Sequence, residues 1–339
     1  MAKKSFFSRA VLLLVVLLGA VGISGVVILK GSCVSEPVEL FIHSGTPYST
    51  VLESLEEAGV KKMGLIKMVG EYKDLERNIK PGHYVIGKGA NAMGIVGLLK
   101  SGAQRPVKLV INNTRTLEQL AGKLSEQLAA DSVTLYAYLS DPETAKKYGL
   151  KKEELIGIFV ANTYEVWWTT SPEGLTDRMN REWKAFWNES RTAKLQRTGL
   201  NKVEVVTLAS IIYEETKNKG EMPKIAGVFI NRLRRGIPLQ ACPTAKYAVG
   251  DFTLKRVLNK HIQHPSPYNT YINRGLPPGP ICIPSIAAID AVLNYTEHNY
   301  LFFCAKEDFS GTHNFASTNA EHSANARRYQ EALNRQGIK

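Results

Sequence analysis

The chain has 339 residues, of which 44% are hydrophobic and 22% charged, and 43 Lys and Arg against 31 Asp and Glu give a net charge of +12. This length allows two folded units, and the ordinary composition excludes a disordered or low-complexity chain. A basic balance suits nucleic acid, an anionic membrane surface or a polyanionic polymer. No arginine-rich block, zinc-finger spacing or RNA-binding aromatic motif accompanies the charge, so we predict no nucleic-acid partner.

The N-terminus carries an uncharged apolar run of twenty residues from Ala10 to Leu29, preceded by Lys3, Lys4 and Arg9. Such a run is long enough to cross a bilayer, and flanking positive residues stay on the cytoplasmic side. A cleaved signal peptide would have a shorter apolar core and a small-residue cleavage site. We therefore predict a cytoplasmic tail over residues 1–9, a transmembrane anchor over residues 10–29, and the rest of the chain on the outer side.

The four cysteines, at positions 33, 242, 282 and 304, form no CxxC pair and no metal-like spacing with the seven histidines. We predict no metal and no cofactor. An oxidising compartment would permit a disulfide among Cys242, Cys282 and Cys304, and the sequence leaves that pairing open.

Beyond the anchor, residues 37–105 alternate strand and helix signals and predict a small α+β unit. The predicted elements are a strand over Val38–Ile42, helices over Tyr48–Glu57 and Met63–Tyr72, a strand over Tyr84–Ile86 and a helix over Ala90–Lys100.

Residues 106–339 predict a helix-rich domain with short strands, so the fold class is α+β. A strand is expected over Val107–Ile111 and a buried strand over Tyr300–Cys304, and six of the fifteen prolines fall in a stiff loop over residues 264–285. Helices are expected over Leu117–Gln127, Ser132–Leu139, Glu173–Lys194, Val203–Asn218, Ala287–Asn294 and Ala320–Arg335.

One face of the Val203–Asn218 helix places Leu208, Ile211, Ile212 and Glu215 at i, i+3, i+4 and i+7. A glutamate on an apolar face loses hydration, which raises its pKa and lets it act as a general acid near neutral pH. Alternatively, Glu215 pairs with Lys219, Arg232 or Arg234, and periodicity alone does not decide.

The neighbouring Glu214 shares a face with Thr207, Ser210 and Asn218, which predicts a solvated face and no carboxylate dyad. Elsewhere, no Gly-x-Ser-x-Gly, His-Glu-x-x-His or phosphate-binding glycine loop occurs. His313 lies in a Gly- and Asn-containing turn, where a lone histidine is more often structural than catalytic.

Several motifs together resemble the YceG-like family. The resemblance is strongest from about residue 203 to 330, and its motifs keep the family's order. They are Leu208–Thr216, Ile225–Leu233, Leu239-Gln240, Pro243-Thr244, Tyr247, Tyr268–Tyr271, Gly275–Ile281, Gly311–Phe315 and His322. Tyr213 stands where many members have an acidic residue, and Asn162 replaces a common aspartate.

The resemblance implies a single-pass protein of the bacterial inner membrane, with a cytoplasmic N-terminus and a periplasmic catalytic domain over residues 106–339. It implies that residues 37–105 are a LysM-like glycan-binding subdomain, and that Glu215 occupies the position of the family's catalytic glutamate. Peptidoglycan glycan strands are the implied substrate, and peptidoglycan synthase complexes are the implied partners. The candidate substrate-binding residues are Gln240, Thr244, Tyr268, Asn269, Tyr271 and His313.

The implied reaction is endolytic lytic transglycosylation of nascent strands, which forms 1,6-anhydro-N-acetylmuramic acid and consumes no water. One carboxylate suffices, because the attacking group is the substrate's own C6 hydroxyl. A hydrolytic muramidase would need two carboxylates, and the nearest other acids, Glu204, Asp251 and Asp290, lie in no motif. A non-catalytic glycan-binding scaffold of the envelope is the other alternative.

Overall fold

The computed structural model describes residues 30–254 and 257–337, so the predicted tail and anchor at residues 1–29 lie outside the described part. In that part, no helix is both long and apolar enough to cross a bilayer. The architecture is mixed α+β with many helices and short strands, which confirms the predicted fold class. Contacts divide the chain into two compact units, the first at residues 30–108, 127–129 and 165–170, and the second comprising the remaining described residues.

The first unit follows the order strand, helix, helix, strand, helix. Strands β1 (Val38–Ile42) and β2 (Gly82–Ile86) pair antiparallel, with Val38 opposite Ile86 and Ile42 opposite Gly82. Their helices are α1 (Tyr48–Glu57), α2 (Met63–Tyr72) and α3 (Ala92–Ser101). The order and type of all five predicted elements are confirmed.

The core of this unit follows from its periodicities. Alternate residues of β1 are buried, as the two-residue repeat of a strand requires. Val51 and Leu55 are the buried residues of α1 at the i, i+4 spacing of one helical face. The LysM-like glycan-binding role of residues 37–105 remains a prediction.

The second unit is built mainly from helices. Its strands β5 (Phe302–Ala305) and β6 (His313–Ala316) pair antiparallel. Strands β3 (Pro106–Ile111) and β4 (Asn162–Trp167), which form a separate two-stranded sheet, each have residues in both units. The helices are α4 (Leu117–Ser125), α5 (Ser132–Ser140), α6 (Pro142–Lys147), a 3-10 helix (Lys152–Ile158), α7 (Pro172–Phe186), α8 (Glu189–Thr198), α9 (Lys202–Glu215), α10 (Met222–Arg234), α11 (Cys242–Val249), α12 (Asn259–Ile262), α13 (Ile286–Leu293) and α14 (Asn319–Arg335).

Two predicted elements of this unit are wrong in part. The single helix predicted over Glu173–Lys194 is two helices, because Asn188 is extended and its side chain caps α8 by accepting the Arg191 N–H. The predicted buried strand begins at Phe302 rather than Tyr300 and is only half-buried. The proline-rich loop contains no helix or strand over residues 264–285, as predicted.

The centre of the second unit is helix α9, whose residues from Val205 to Ile212 are all buried. The solvated face predicted for Thr207 and Ser210 is therefore wrong, since these side chains are 2% and 0% exposed. Ser210 Oγ donates to the Thr207 carbonyl at 2.7 Å and accepts the Ile281 N–H at 3.0 Å. This second bond attaches the proline-rich loop to α9.

The Ser210 hydroxyl gives a test of this attachment. Replacing Ser210 with Ala leaves the buried Ile281 N–H without its acceptor, which should cost about 1–3 kcal/mol in the free energy of unfolding. Urea denaturation measures the loss. Ser125→Ala is the matched control, since Ser125 makes the same kind of bond to the Gly122 carbonyl within its own helix. An equal, small effect of both substitutions would contradict the attachment.

Candidate active site

Glu215 is the last residue of α9, and the chain turns to an extended conformation at Thr216. Burial is the main cause that raises the pKa of Glu215, to about 7. The Lys246 ammonium and the backbone N–H of Cys242 pull the pKa down, and Glu214 adds a small upward effect. At neutral pH this carboxyl is therefore close to half protonated.

The alternative in which Glu215 forms an ion pair does not occur among the described residues. Arg232 instead donates to the carbonyls of Pro238 and Leu301, each at 2.9 Å. Arg234 donates to the Arg197 carbonyl at 2.7 Å. Glu215 thus occupies its site without a counter-ion in direct contact, which preserves its raised pKa.

Glu214, the neighbour of Glu215, has a different environment. Its carboxylate accepts from Arg115 Nη2 at 2.8 Å and from Asn113 Nδ2 at 3.2 Å, and Lys217 Nζ lies 3.8 Å away. Its side chain is 16% exposed, so the predicted solvated position is wrong. The prediction that the two glutamates are not a dyad agrees with this arrangement, because Glu214 is held by cations.

Glu215 lines an open cleft of about 520 Å³. A second cavity of about 170 Å³ shares Glu215 and Cys242 with this cleft, and a third of about 330 Å³ shares Arg115 and Tyr247 with the second. Glu215 therefore lines two adjoining cavities. The large cleft is lined by Glu215, Val228, Phe229, Arg232, Leu239, Gln240, Cys242, Tyr271, Leu301, Phe302, Phe303, Cys304, Ala305, His313, Asn319 and His322.

Gln240, a predicted substrate-binding residue, lies on the cleft wall in a strained conformation, with φ at +51°. Its backbone N–H donates to the Thr270 carbonyl at 3.0 Å. Its side-chain oxygen accepts from Arg232 Nη2 at 2.6 Å. Because a guanidinium can only donate, the Gln240 amide oxygen faces Arg232, and the NH2 group remains as a donor for a ligand.

Tyr271 also lies on the cleft wall, as predicted, and its hydroxyl is 3.2 Å from Cys242 Sγ. Burial raises its pKa above the usual range, so this hydroxyl keeps its proton. Tyr268 lies instead in the third cavity, where its ring packs 4.7 Å from that of Tyr247. The two predicted tyrosines thus line different parts of the same series of cavities.

Thr244 and Asn269, also predicted to bind substrate, are each 0% exposed. Thr244 Oγ1 donates to the Ala241 carbonyl, and Asn269 Nδ2 donates to the carbonyls of Ile262 and His264. These contacts fold the loop that carries Tyr268 and Tyr271. Their placement supports a loop-holding role and gives no support to direct substrate contact.

His313 lines the large cleft, as predicted, and its Nδ1 lies 2.9 Å from Glu221 Oε2. His322 lines it as well, stacked on Phe302 at 5.2 Å, and burial lowers its pKa so that it stays neutral. The sequence predicted no role for Glu221 or Asn319. For Glu221, the contact with His313 spans 92 residues, and no periodicity signals a pairing at that distance.

Within the described residues, no group of three or more His, Cys, Asp or Glu side chains is arranged to hold a metal ion. Cys242, Cys282 and Cys304 are free thiols.

The described residues form an α+β fold in which a carboxyl with a raised pKa, that of Glu215, lines an open cleft. The model of the YceG-like family matches residues 40–328. The chain belongs to the YceG-like family, which confirms the predicted resemblance.

Curated relatives carry one functional name. An endolytic murein transglycosylase of Bacillus subtilis is 29% identical over 337 residues, covering 92% of each chain. An endolytic murein transglycosylase of Streptococcus pneumoniae is 29% identical over 85% of this chain, which spans 57% of that longer relative. These names confirm the predicted enzyme class at the level of the relatives. A crystal structure of a YceG-like protein from Listeria monocytogenes matches with a TM-score of 0.58 and 28% identity, covering 85% of this chain and 98% of that one.

The raised pKa of Glu215 predicts a pH-dependent cost in stability. In the unfolded chain the carboxyl has a pKa of about 4.3, so the folded state binds more protons between that pH and about 7. The free energy of unfolding therefore decreases as pH rises through this window. Glu215→Gln removes the effect, so the variant should match the native protein near pH 4 and exceed it by up to about 3 kcal/mol above pH 7.

Urea denaturation of both proteins across pH 4–8 measures this difference. Glu204→Gln serves as the control, since Glu204 is a capping residue at the N-terminal end of the same helix. A difference between Glu215→Gln and the native protein that does not change with pH would contradict the buried, uncompensated carboxyl.

Proposed function

We propose that this chain is an endolytic lytic transglycosylase that cleaves the bond between N-acetylmuramic acid and N-acetylglucosamine inside peptidoglycan strands. The observation that carries the proposal is Glu215, the one carboxylate among the described residues that lines the large cleft, with a pKa of about 7. The names of the curated relatives support the same reaction.

The proposed mechanism uses Glu215 twice. The protonated carboxyl donates its proton to the glycosidic oxygen as that bond breaks, and the resulting carboxylate then takes the proton of the attacking C6 hydroxyl. A pKa near the working pH suits both steps, because each form of the group is accessible. Attack by the neighbouring hydroxyl is intramolecular, so its effective concentration can be very high.

The other acids support transglycosylation over hydrolysis. Asp290 is paired with Arg191, Asp251 with the Thr253 hydroxyl, and Glu204 with the Asn201 N–H at the helix start. None of the three lines the large cleft or the adjoining cavity. A two-carboxylate hydrolase needs a second acid opposite the first, and Glu214, held by Arg115, does not supply a free one.

The two adjoining cavities that Glu215 lines support cleavage within a strand, since an internal bond needs sugars bound on each side. Gln240 offers its NH2 group as a donor to the carbonyl of an N-acetyl group, and the Tyr271 hydroxyl, 3.2 Å from Cys242 Sγ, lies on the same wall. Both groups are held by other contacts before a ligand arrives, which reduces the entropy lost on binding.

The cellular setting belongs to the same proposal. The apolar run at residues 10–29 supports a single-pass inner-membrane anchor, with the N-terminus cytoplasmic and the catalytic domain periplasmic. Peptidoglycan synthase complexes are the proposed partners, because cleavage of nascent strands takes place beside the enzymes that extend them.

Digestion of purified peptidoglycan by the chain from Lys30 onward tests the reaction, with products identified by mass. The native protein should give internal fragments that end in 1,6-anhydro-N-acetylmuramic acid, and Glu215→Gln should lower the rate by at least about 100-fold. Reducing ends from the native protein would mean a hydrolase. Glycan binding without cleavage by either protein would mean a scaffold.

The pH dependence of the same digestion tests the environment of Glu215. Because the acid form is needed for the first step, kcat/KM should fall as pH rises above about 7. Lys246→Met removes a cation that lowers the pKa of Glu215, so this fall should move to higher pH. Lys246→Arg keeps the positive charge and should leave the profile in place. Identical profiles for the native protein and Lys246→Met would contradict the assignment.

A further inference from the structure

Glu221 and His313 form a pair at the wall of the large cleft. Glu221 immediately precedes α10, and His313 is the first residue of β6. One carboxylate oxygen of Glu221 accepts the backbone N–H of His313 at 2.9 Å, and the other lies 2.9 Å from the ring Nδ1. The two side chains are 16% and 15% exposed, so the pair is mostly shielded from water.

The pair fixes the tautomer of the histidine ring. A carboxylate only accepts hydrogen bonds, so Nδ1 must carry a proton; the neutral tautomer that this contact selects has a lone pair on Nε2. Among the described residues, Nε2 forms no hydrogen bond. The Phe303 and His313 rings pack at right angles, with their centres 5.4 Å apart. His313 thus offers a single acceptor to the cleft that it shares with Glu215.

An acceptor at this position complements the other polar groups of the cleft. Gln240 offers its NH2 group, and Glu215 holds its own proton before bond cleavage. Before the bond breaks, Glu215 is still protonated and is not yet a carboxylate that could accept from the attacking C6 hydroxyl. Another acceptor is therefore needed to orient that hydroxyl.

We propose that His313 Nε2 accepts a hydrogen bond from the C6 hydroxyl of N-acetylmuramic acid and aims its oxygen at C1, and that Glu221 is the positioning residue that sets the tautomer. This inference rests on the proposed function. In the step, the C1–O bond to N-acetylglucosamine breaks and the C6–O to C1 bond forms. Glu215 gives one proton to the leaving oxygen. The C6 hydroxyl then shifts its hydrogen bond from His313 Nε2 to the Glu215 carboxylate and transfers its proton there, so His313 orients the hydroxyl without gaining a proton.

Loss of this orientation has a chemical signature. When the C6 hydroxyl is held loosely, a water molecule can attack C1 instead and leave a reducing end. The ratio of reducing to anhydro ends therefore reports on the positioning of the hydroxyl. It does not depend on the concentration of active enzyme, so partial misfolding of a variant leaves it unchanged.

The test measures this ratio for the native protein, His313→Gln and Glu221→Gln. In Glu221→Gln, the amide oxygen still accepts the His313 backbone N–H, but the NH2 group then faces Nδ1. The ring proton moves to Nε2, which can no longer accept. Both variants should raise the ratio at least about tenfold and slow the formation of anhydro ends by on the order of 100-fold, the usual cost of a misplaced reacting group.

Glu307→Gln is the matched control, since Glu307 accepts from the neighbouring Asn314 at 2.7 Å and does not line the cleft. It should keep the native ratio. The inference would be overturned if both His313→Gln and Glu221→Gln kept the native ratio. It would also be overturned if variants with the native melting temperature gave no product at all, because loss of orientation alone leaves the acid step of Glu215 intact. Retained cleavage by Glu215→Gln would instead overturn the proposed function.

Discussion

The site depends on the burial of one carboxyl group at the end of a helix that is itself packed on every side. Glu215 follows the buried stretch of α9 from Val205 to Ile212 and is half-buried at the cleft wall, where the surrounding protein desolvates its carboxyl. The C-terminal end of a helix also carries a partial negative charge, which disfavours an anion there. The protein therefore holds a proton on a glutamate near neutral pH, and the arrangement costs folding free energy whenever that proton is lost.

The surrounding structure keeps this carboxyl buried and yet open to a ligand. Ser210 ties the proline-rich loop to α9, and the interior contacts of Asn269 and Thr244 fold the part of that loop that carries Tyr271. Buried Arg232 holds Gln240 in place through its amide oxygen. Residues far apart in sequence thus form one wall of the cleft. Polar side chains in this wall form hydrogen bonds to the rest of the protein and present their remaining polar groups to the cleft.

Much of this could be predicted from the sequence, because it depends on local periodicity. The two-residue repeat of Val38–Ile42 and the helical spacing of Leu208, Ile211, Ile212 and Glu215 predicted the observed strand and helix, and they singled out a carboxyl that lines the cleft. The solvated face assigned to Thr207 and Ser210 was wrong, because small polar residues also suit a helix packed on all sides when each hydroxyl finds a partner. The helix predicted over Glu173–Lys194 is interrupted because Asn188 caps a new helix inside a sequence pattern that is otherwise helical.

The rest could not be predicted, because it depends on contacts between distant segments. Nothing local to Glu221 signals His313, and nothing local to Glu214 signals Arg115. Loop composition likewise could not separate Asn269, which faces the interior, from Tyr271, which faces the cleft. In each case the partner supplied by the tertiary structure decides whether a polar residue supports the site or forms its surface.

The central claim is that Glu215 holds a proton near neutral pH. A titration by NMR of protein carrying carbon-13 in its glutamate carboxyl groups measures this directly, with the Glu215 signal assigned by its absence from Glu215→Gln. The account predicts a signal that titrates with a pKa of about 7. A Glu215 signal that titrates near the ordinary glutamate value of about 4.3 would contradict it.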